Sequence, residues 1–129
     1  MGGGAEARRR AAALKSFGAE VTVIAPEFSG VEEAVCHIAR PYRPGDVKGA
    51  AIAVAATDDR AVNRAVGEEA RALGIPVSVA DRREECTFFF PAVCTGTRVV
   101  AGVTSHGNDH GAVSQAAQQI WEILQNNHG

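Results

Sequence analysis

The sequence predicts an α/β fold with a mostly parallel sheet, and three observations carry that prediction. Short β-branched or apolar runs alternate with segments whose apolar residues recur at helical spacing. A glycine turn, Gly2-Gly3-Gly4, leads directly into the first helical segment. The run Ala50–Ala55 is apolar throughout, as suits a strand buried on both faces of a parallel sheet. Helices alternating with strands are what cover those two faces.

Each element follows in order. Between Ala5 and Phe17, the apolar positions Ala7, Ala11, Leu14 and Phe17 define a helix that Gly18 stops. Val21–Ala25 is a β-branched strand bounded by Pro26, and Val35–Ala39 is a weaker one, interrupted by Cys36 and His37. After the Ala50–Ala55 strand, Thr57-Asp58-Asp59 opens a helix with Val62, Val66, Ala70 and Leu73 on one side and Gly74 at its end. The Thr57 hydroxyl or an aspartate carboxylate caps its free amides. Val77–Ala80 is the next strand. Ala92–Thr95 and Arg98–Val103 then form a hairpin around Gly96-Thr97, and a last helix runs from about Asp109 to Gln125 on Val113, Ala116, Ile120 and Leu124.

The glycine turn is the second half of a strand–turn–helix unit, yet only Met1 precedes it. In a dinucleotide fold that first strand lies mid-sheet, so further residues ending in a β-branched apolar run are expected ahead of Met1. Without them, a gap with unpaired amides and carbonyls is expected between the strands at Val21–Ala25 and Ala50–Ala55.

Composition excludes several classes of function. The chain has 129 residues, enough for a single domain spanning 1–129, with 92–129 adding to a substrate cleft or a dimer contact. With 13 basic and 15 acidic side chains the net charge is −2, which argues against a nucleic-acid surface. Arg8-Arg9-Arg10 reads as a solvated helix face. No run approaches the ~20 apolar residues of a membrane span, and MGGGAEARRR has no apolar core after its charges, so a cytoplasmic protein is expected. Cys36, Cys86 and Cys94 have no CxxC spacing and read as reduced, mostly buried thiols.

Four features bear on chemistry. The glycine turn lets helix N-terminal amides approach a pyrophosphate, although three glycines after an initiator methionine also suit a plain tail. Glu27, beyond Pro26, is the acid nearest the end of the second strand, where such folds hold a ribose. Asp81 follows a strand at the carboxyl edge of the sheet, where it is either a general base or a turn aspartate. His106, Asp109 and His110 lie within five residues, either to hold a transient metal or as a polar loop capping the last helix. The Phe88-Phe89-Phe90 run reads as core or subunit contact, and His37 and His128 as incidental.

Taken together, GGGAEARRR, GAEVTVIAPE, IAVAATDDRAVNRAV, IPVSVADRREECTFFFPAV and the VTSHG loop resemble the precorrin-2 dehydrogenases, which also form the N-terminal part of bifunctional siroheme synthases. The resemblance covers nearly the whole chain and implies a Rossmann-like dinucleotide-binding domain that oxidises precorrin-2 to sirohydrochlorin, passing a hydride to NAD. It assigns NAD contacts to Gly4, Ala5 and Glu6 of the glycine turn, to Pro26 and Glu27, and to Thr57 and Asp58, and Gly2 and Gly3 of the same turn are expected to belong to the cofactor site. It makes Asp81 the catalytic aspartate and puts Thr104, Ser105, His106 and Gly107 near the tetrapyrrole. Arg82, Arg83 and Arg98 are candidates for the substrate carboxylates. A homodimer is implied, and some members also insert ferrous iron, so a transient ferrous or cobaltous ion is an alternative partner. The loop His-Gly-Asn-Asp-His departs from the Gly-Gly-x-Ser-Pro of bifunctional members, and the expected longer helical extension is not in the sequence; both favour a stand-alone dehydrogenase with no resident metal. A non-catalytic nucleotide-sensing module is the alternative from another class.

Overall fold

The computed structural model describes residues 2, 4–28, 35–106 and 109–126. Two compact units divide the chain, Met1–Phe88 and Phe89–Gly129. The first contains helix α1 (Ala5–Ser16), strands β1 (Thr22–Ile24), β2 (Cys36–Ile38) and β3 (Ala53–Ala55), helix α2 (Arg60–Ala72) and strand β4 (Val77–Val79). A single 3-10 turn, Arg83–Glu85, follows. The second unit holds the hairpin β5 (Ala92–Thr95) and β6 (Val100–Val103) and helix α3 (His110–Asn126).

Parallel pairing is observed, but in two pieces. β1 pairs with β2, placing Thr22 beside Cys36 and Ile24 beside Ile38. β3 pairs with β4, placing Ala53 beside Val77 and Ala55 beside Val79. Among the described residues no ladder joins the two pairs. The main core packs β3 and β4 against α2 through Val47, Ala53, Ala55, Val66, Ala70, Val77 and Val79. A smaller cluster joins α1 to β1 through Ala11, Val23 and Ala25. Both cores are built from alanine and valine, so each side chain brings little area and close packing must make up the difference.

The helix stripes are shorter than the periodicity predicts. Ala7 and Ala11 are buried in α1, but Phe17 is 61% exposed. In α2, Val66 and Ala70 are buried as expected, Leu73 is 47% exposed, and Asn63 and Gly67 complete the inner face. Arg10 does not share the solvated face expected of the arginine run: its guanidinium donates to Ser78 Oγ at 2.7 Å and to Glu6 at 2.9 Å. The thiols are free, but Cys36 is exposed rather than buried.

The segment 40–50, given no element from the sequence, is an ordered strut. Both terminal nitrogens of Arg40 hold Asp46, each at 2.8 Å. The Glu69 carboxylate accepts from the Tyr42 hydroxyl at 2.9 Å, the Val47 amide at 3.3 Å and the Gly45 amide. These bonds seat Val47 in the core at 2% exposure. Burial and the adjacent Glu69 push the Tyr42 phenol up to about 12. The strut ends in the apolar run, of which only Ala53–Ala55 is strand; Ala50, Ala51 and Ile52 precede it in exposed positions.

In the second unit β5 and β6 pair antiparallel, Ala92 opposite Val103 and Thr95 opposite Val100. α3 packs on this hairpin. Val113, Ala116, Ile120 and Leu124 are its half-buried stripe, and the buried Cys94 thiol bonds the Ala117 carbonyl at 3.3 Å. In the described residues no helix is long and apolar enough to cross a membrane.

Candidate functional site

The carboxyl ends of β1, β3 and β4 and the N-terminus of α1 supply the candidate residues of the first unit. Gly2 joins two of these ends. Its N–H donates to the Ile24 carbonyl at 3.1 Å, closing on the end of β1. Its φ of +113° is one that side chains resist, and a Cβ there would lie 2.4 Å from the Ala56 carbonyl oxygen. Only glycine lets the backbone pass so close to the end of β3. Gly4 is the extended residue before α1 and supplies no side-chain cap, and an added Cβ there meets nothing within 4 Å. The first-turn amides of Ala5 and Glu6 lie at the end of the helix where its dipole favours negative charge. Gly3 lies outside the described residues.

Glu6 is occupied within its own helix. Burial alone would push its carboxyl up, but hydrogen bonds and charge from Arg10 and Arg9 outweigh that and hold it below the usual value. Pro26 and Glu27 follow β1 and are exposed.

The turn after β3 is the most tightly built part. Asn63, fully buried on α2, accepts the Thr57 N–H at 3.0 Å and the Thr57 hydroxyl at 2.6 Å, and returns its own amide to the Thr57 carbonyl at 3.0 Å. Asp59 is the helix cap, taking the Ala61 amide at 2.9 Å, while the Thr57 hydroxyl accepts from the Asp59 N–H at 3.1 Å. Asp58 is left exposed at the rim. Sequence reasoning passed over Asn63, although a polar residue on the buried stripe between Val62 and Val66 was the available signal.

Asp81 follows β4, as expected, and is neither solitary nor a simple turn cap. Arg60, at the start of α2, donates to Asp81 at 2.7 Å and also binds Glu85. This two-carboxylate clamp ties Asp81 to the Thr57–Asp59 turn. His37 is likewise not incidental: its Nε2 bonds the Ala25 carbonyl at 2.8 Å, steadying the end of β1.

In the second unit, Thr104, Ser105 and His106 follow β6, and Gly107 lies outside the described residues. Ser105 Oγ accepts from the Asp109 N–H at 3.4 Å, and Asp109 Oδ1 accepts from the Ala112 N–H at 2.9 Å, so Asp109 caps α3. His106 and His110 are exposed. Among the described residues no group of three or more histidines, cysteines and carboxylates is arranged to hold a metal.

A family model described as putative NAD(P)-binding matches residues 1–92. The chain belongs to this family. It is 41% identical to the siroheme synthase of Methylobacillus flagellatus over 113 residues, covering 83% of this chain and 24% of that protein. It is 38% identical to a probable multifunctional siroheme biosynthesis protein, HemA, of Ruminiclostridium josui, covering 97% of this chain and 26% of that one. Among solved structures, SirC, a precorrin-2 dehydrogenase, matches with a TM-score of 0.69 and 25% identity over 98% of this chain and 63% of that chain. The chain thus spans about a quarter of the length of these curated relatives. The Rossmann-like expectation holds, with a smaller sheet than it implied. The residues present suit a nicotinamide dinucleotide: a backbone pinched at Gly2, open space at Gly4 and an α1 N-terminus without a side-chain cap are what a pyrophosphate needs.

Proposed function

We propose that this chain oxidises precorrin-2 to sirohydrochlorin with NAD as hydride acceptor. The observation that carries the reading is the seam at the strand ends, where Gly2 spans β1 and β3 beside the uncapped start of α1. The names of the matched proteins support the tetrapyrrole substrate and the siroheme pathway. When bound, the dinucleotide supplies the site that accepts the hydride. The protein's own groups do the rest. The Ala5 and Glu6 amides hold the pyrophosphate, with Gly2, Gly3 and Gly4 giving it room. Pro26 and Glu27 border the ribose, and Thr57 and Asp58 line the cleft. Oxidation removes a hydride and a proton, and Asp81 takes the proton, its carboxylate directed by Arg60. On the resemblance, the Thr104–Gly107 loop contacts the tetrapyrrole, and a homodimer is the working assembly.

The test is direct. Precorrin-2, the protein and NAD are mixed anaerobically, with NADP in a parallel arm, and the sirohydrochlorin absorption spectrum is followed. Protein-dependent conversion with NAD, accompanied by formation of reduced nicotinamide, is the expected result. No conversion above the protein-free control with either dinucleotide overturns the reading.

A further inference from the structure

β1 and β2 run parallel, with Val23 beside His37. The His37 side chain reaches past its register partner along the strand direction, and its Nε2 lies 2.8 Å from the carbonyl oxygen of Ala25. A carbonyl only accepts, so Nε2 carries the proton and donates. Ala25 is 3% exposed, and its N–H bonds the Ile38 carbonyl at 3.2 Å, so β2 satisfies both of its backbone groups. Three residues on, the Phe28 ring meets the His37 ring, with centroids 6.0 Å apart and planes at 56°. Phe28 also packs on the cluster of Ala11, Val23 and Ala25. One imidazole thus grips both ends of the turn Ala25–Phe28. The two residues between, Pro26 and Glu27, are exposed, and the proline ring removes one torsion from the turn. Just before it, the Ile24 carbonyl receives the Gly2 N–H, which sets this turn against the glycine turn.

We propose that His37 is a positioning residue for the dinucleotide: by holding the Ala25 carbonyl and the Phe28 ring, it fixes the turn that presents the Glu27 carboxylate to the adenosine ribose. This rests on the cofactor reading above. Glu27 is the sole charge in Ala25–Phe28, and a carboxylate accepts hydrogen bonds from ribose hydroxyls while repelling a phosphate on the same ring. A glutamate on a loose turn must surrender backbone and side-chain freedom when it makes such a contact, and that loss cancels much of the gain. His37 removes the backbone part of the loss before the ligand arrives. It touches no reacting atom, so its effect falls on affinity and on the choice between NAD and NADP, not on hydride transfer.

Dissociation constants of NAD and NADP, measured by calorimetry on the full chain without tetrapyrrole, test this. His37→Ala should weaken NAD ~10-fold and NADP by no more than ~3-fold, since a phosphorylated ribose gains less from Glu27 to begin with. His37→Gln, whose side-chain amide donates from a similar reach, should return NAD affinity to within ~3-fold of wild type. With Glu27→Ala in place, adding His37→Ala should weaken NAD by less than ~2-fold, because the two residues act through one contact. If His37→Ala does not fold, His37→Phe is measured instead; it keeps a ring beside Phe28 and removes only the donor. NAD affinity within ~2-fold of wild type in the variant without the donor, equal losses for both dinucleotides, or losses that add in the double variant overturn the proposal. A wild-type chain that binds neither dinucleotide overturns the cofactor reading itself and this inference with it. A wild-type chain that binds NAD, with variants at residue 37 that bind it equally well, overturns this inference alone.

Discussion

Asn63 shows how one side chain fixes a turn. It satisfies both backbone groups of Thr57 from inside the core. Asn63→Ala leaves those groups without partners and should cost about 2–3 kcal/mol, read from urea unfolding; a loss under ~0.5 kcal/mol would mean that the turn holds itself. Asp46 carries the acid response of the strut. Arg40 first, with the Arg43 amide, outweighs partial burial and holds the Asp46 carboxyl at about 2, below its usual 3.8. A lowered folded value stabilises above the unfolded one, and that stabilisation drains away as pH falls from about 4 to 2. The wild-type protein should therefore exceed Asp46→Asn in urea midpoint at pH 6, and the gap should close by pH 2. A gap that persists at pH 2 contradicts the assignment. Asp81→Asn keeps volume and the Arg60 contact while removing the charge; turnover should fall ~10²–10⁴-fold with unchanged dinucleotide affinity. Saturated turnover within ~3-fold of wild type makes Asp81 structural.

At the scale of elements, the well-marked segments were legible and the cooperative ones were not. The periodicity of α2 and the half-buried stripe of α3 could be read directly because one face of each repeats at helical spacing. The 40–50 strut could not, because its order comes from Arg40–Asp46 and from a carboxylate 23 residues beyond Asp46 in sequence, Glu69. Local pattern carries no trace of such a partner. The strand at Ala50–Ala55 was overlong for a related reason: Ala50–Ile52 is apolar because it lines a groove, and only Ala53–Ala55 has a strand to pair with. At the candidate site, the glycine turn and Asp81 were expected from motif and edge position and Thr57 from the resemblance, while Asn63 and Arg60 were passed over because they act through hydrogen bonds to other residues. The α2 cap gives an element-level prediction. Asp59→Ala removes the acceptor for the Ala61 amide and should lower stability by about 1 kcal/mol without changing the denaturant slope.

Over the molecule as a whole, the site rests on the strand ends of Met1–Phe88, while Phe89–Gly129 is a separate unit of hairpin and helix. Charge is nearly balanced at −2, so no global field draws in an anionic cofactor. On the proposed reading, recognition comes from local backbone amides and the α1 dipole. That is the central claim, and amide-resolved NMR with NAD titrated into the protein tests it most directly. The account predicts saturable shifts, at concentrations up to about 1 mM, concentrated at Gly2, Gly4, Ala5, Glu6, Thr57 and Asp58. Shifts confined to residues 92–126, or none over that range, would contradict it.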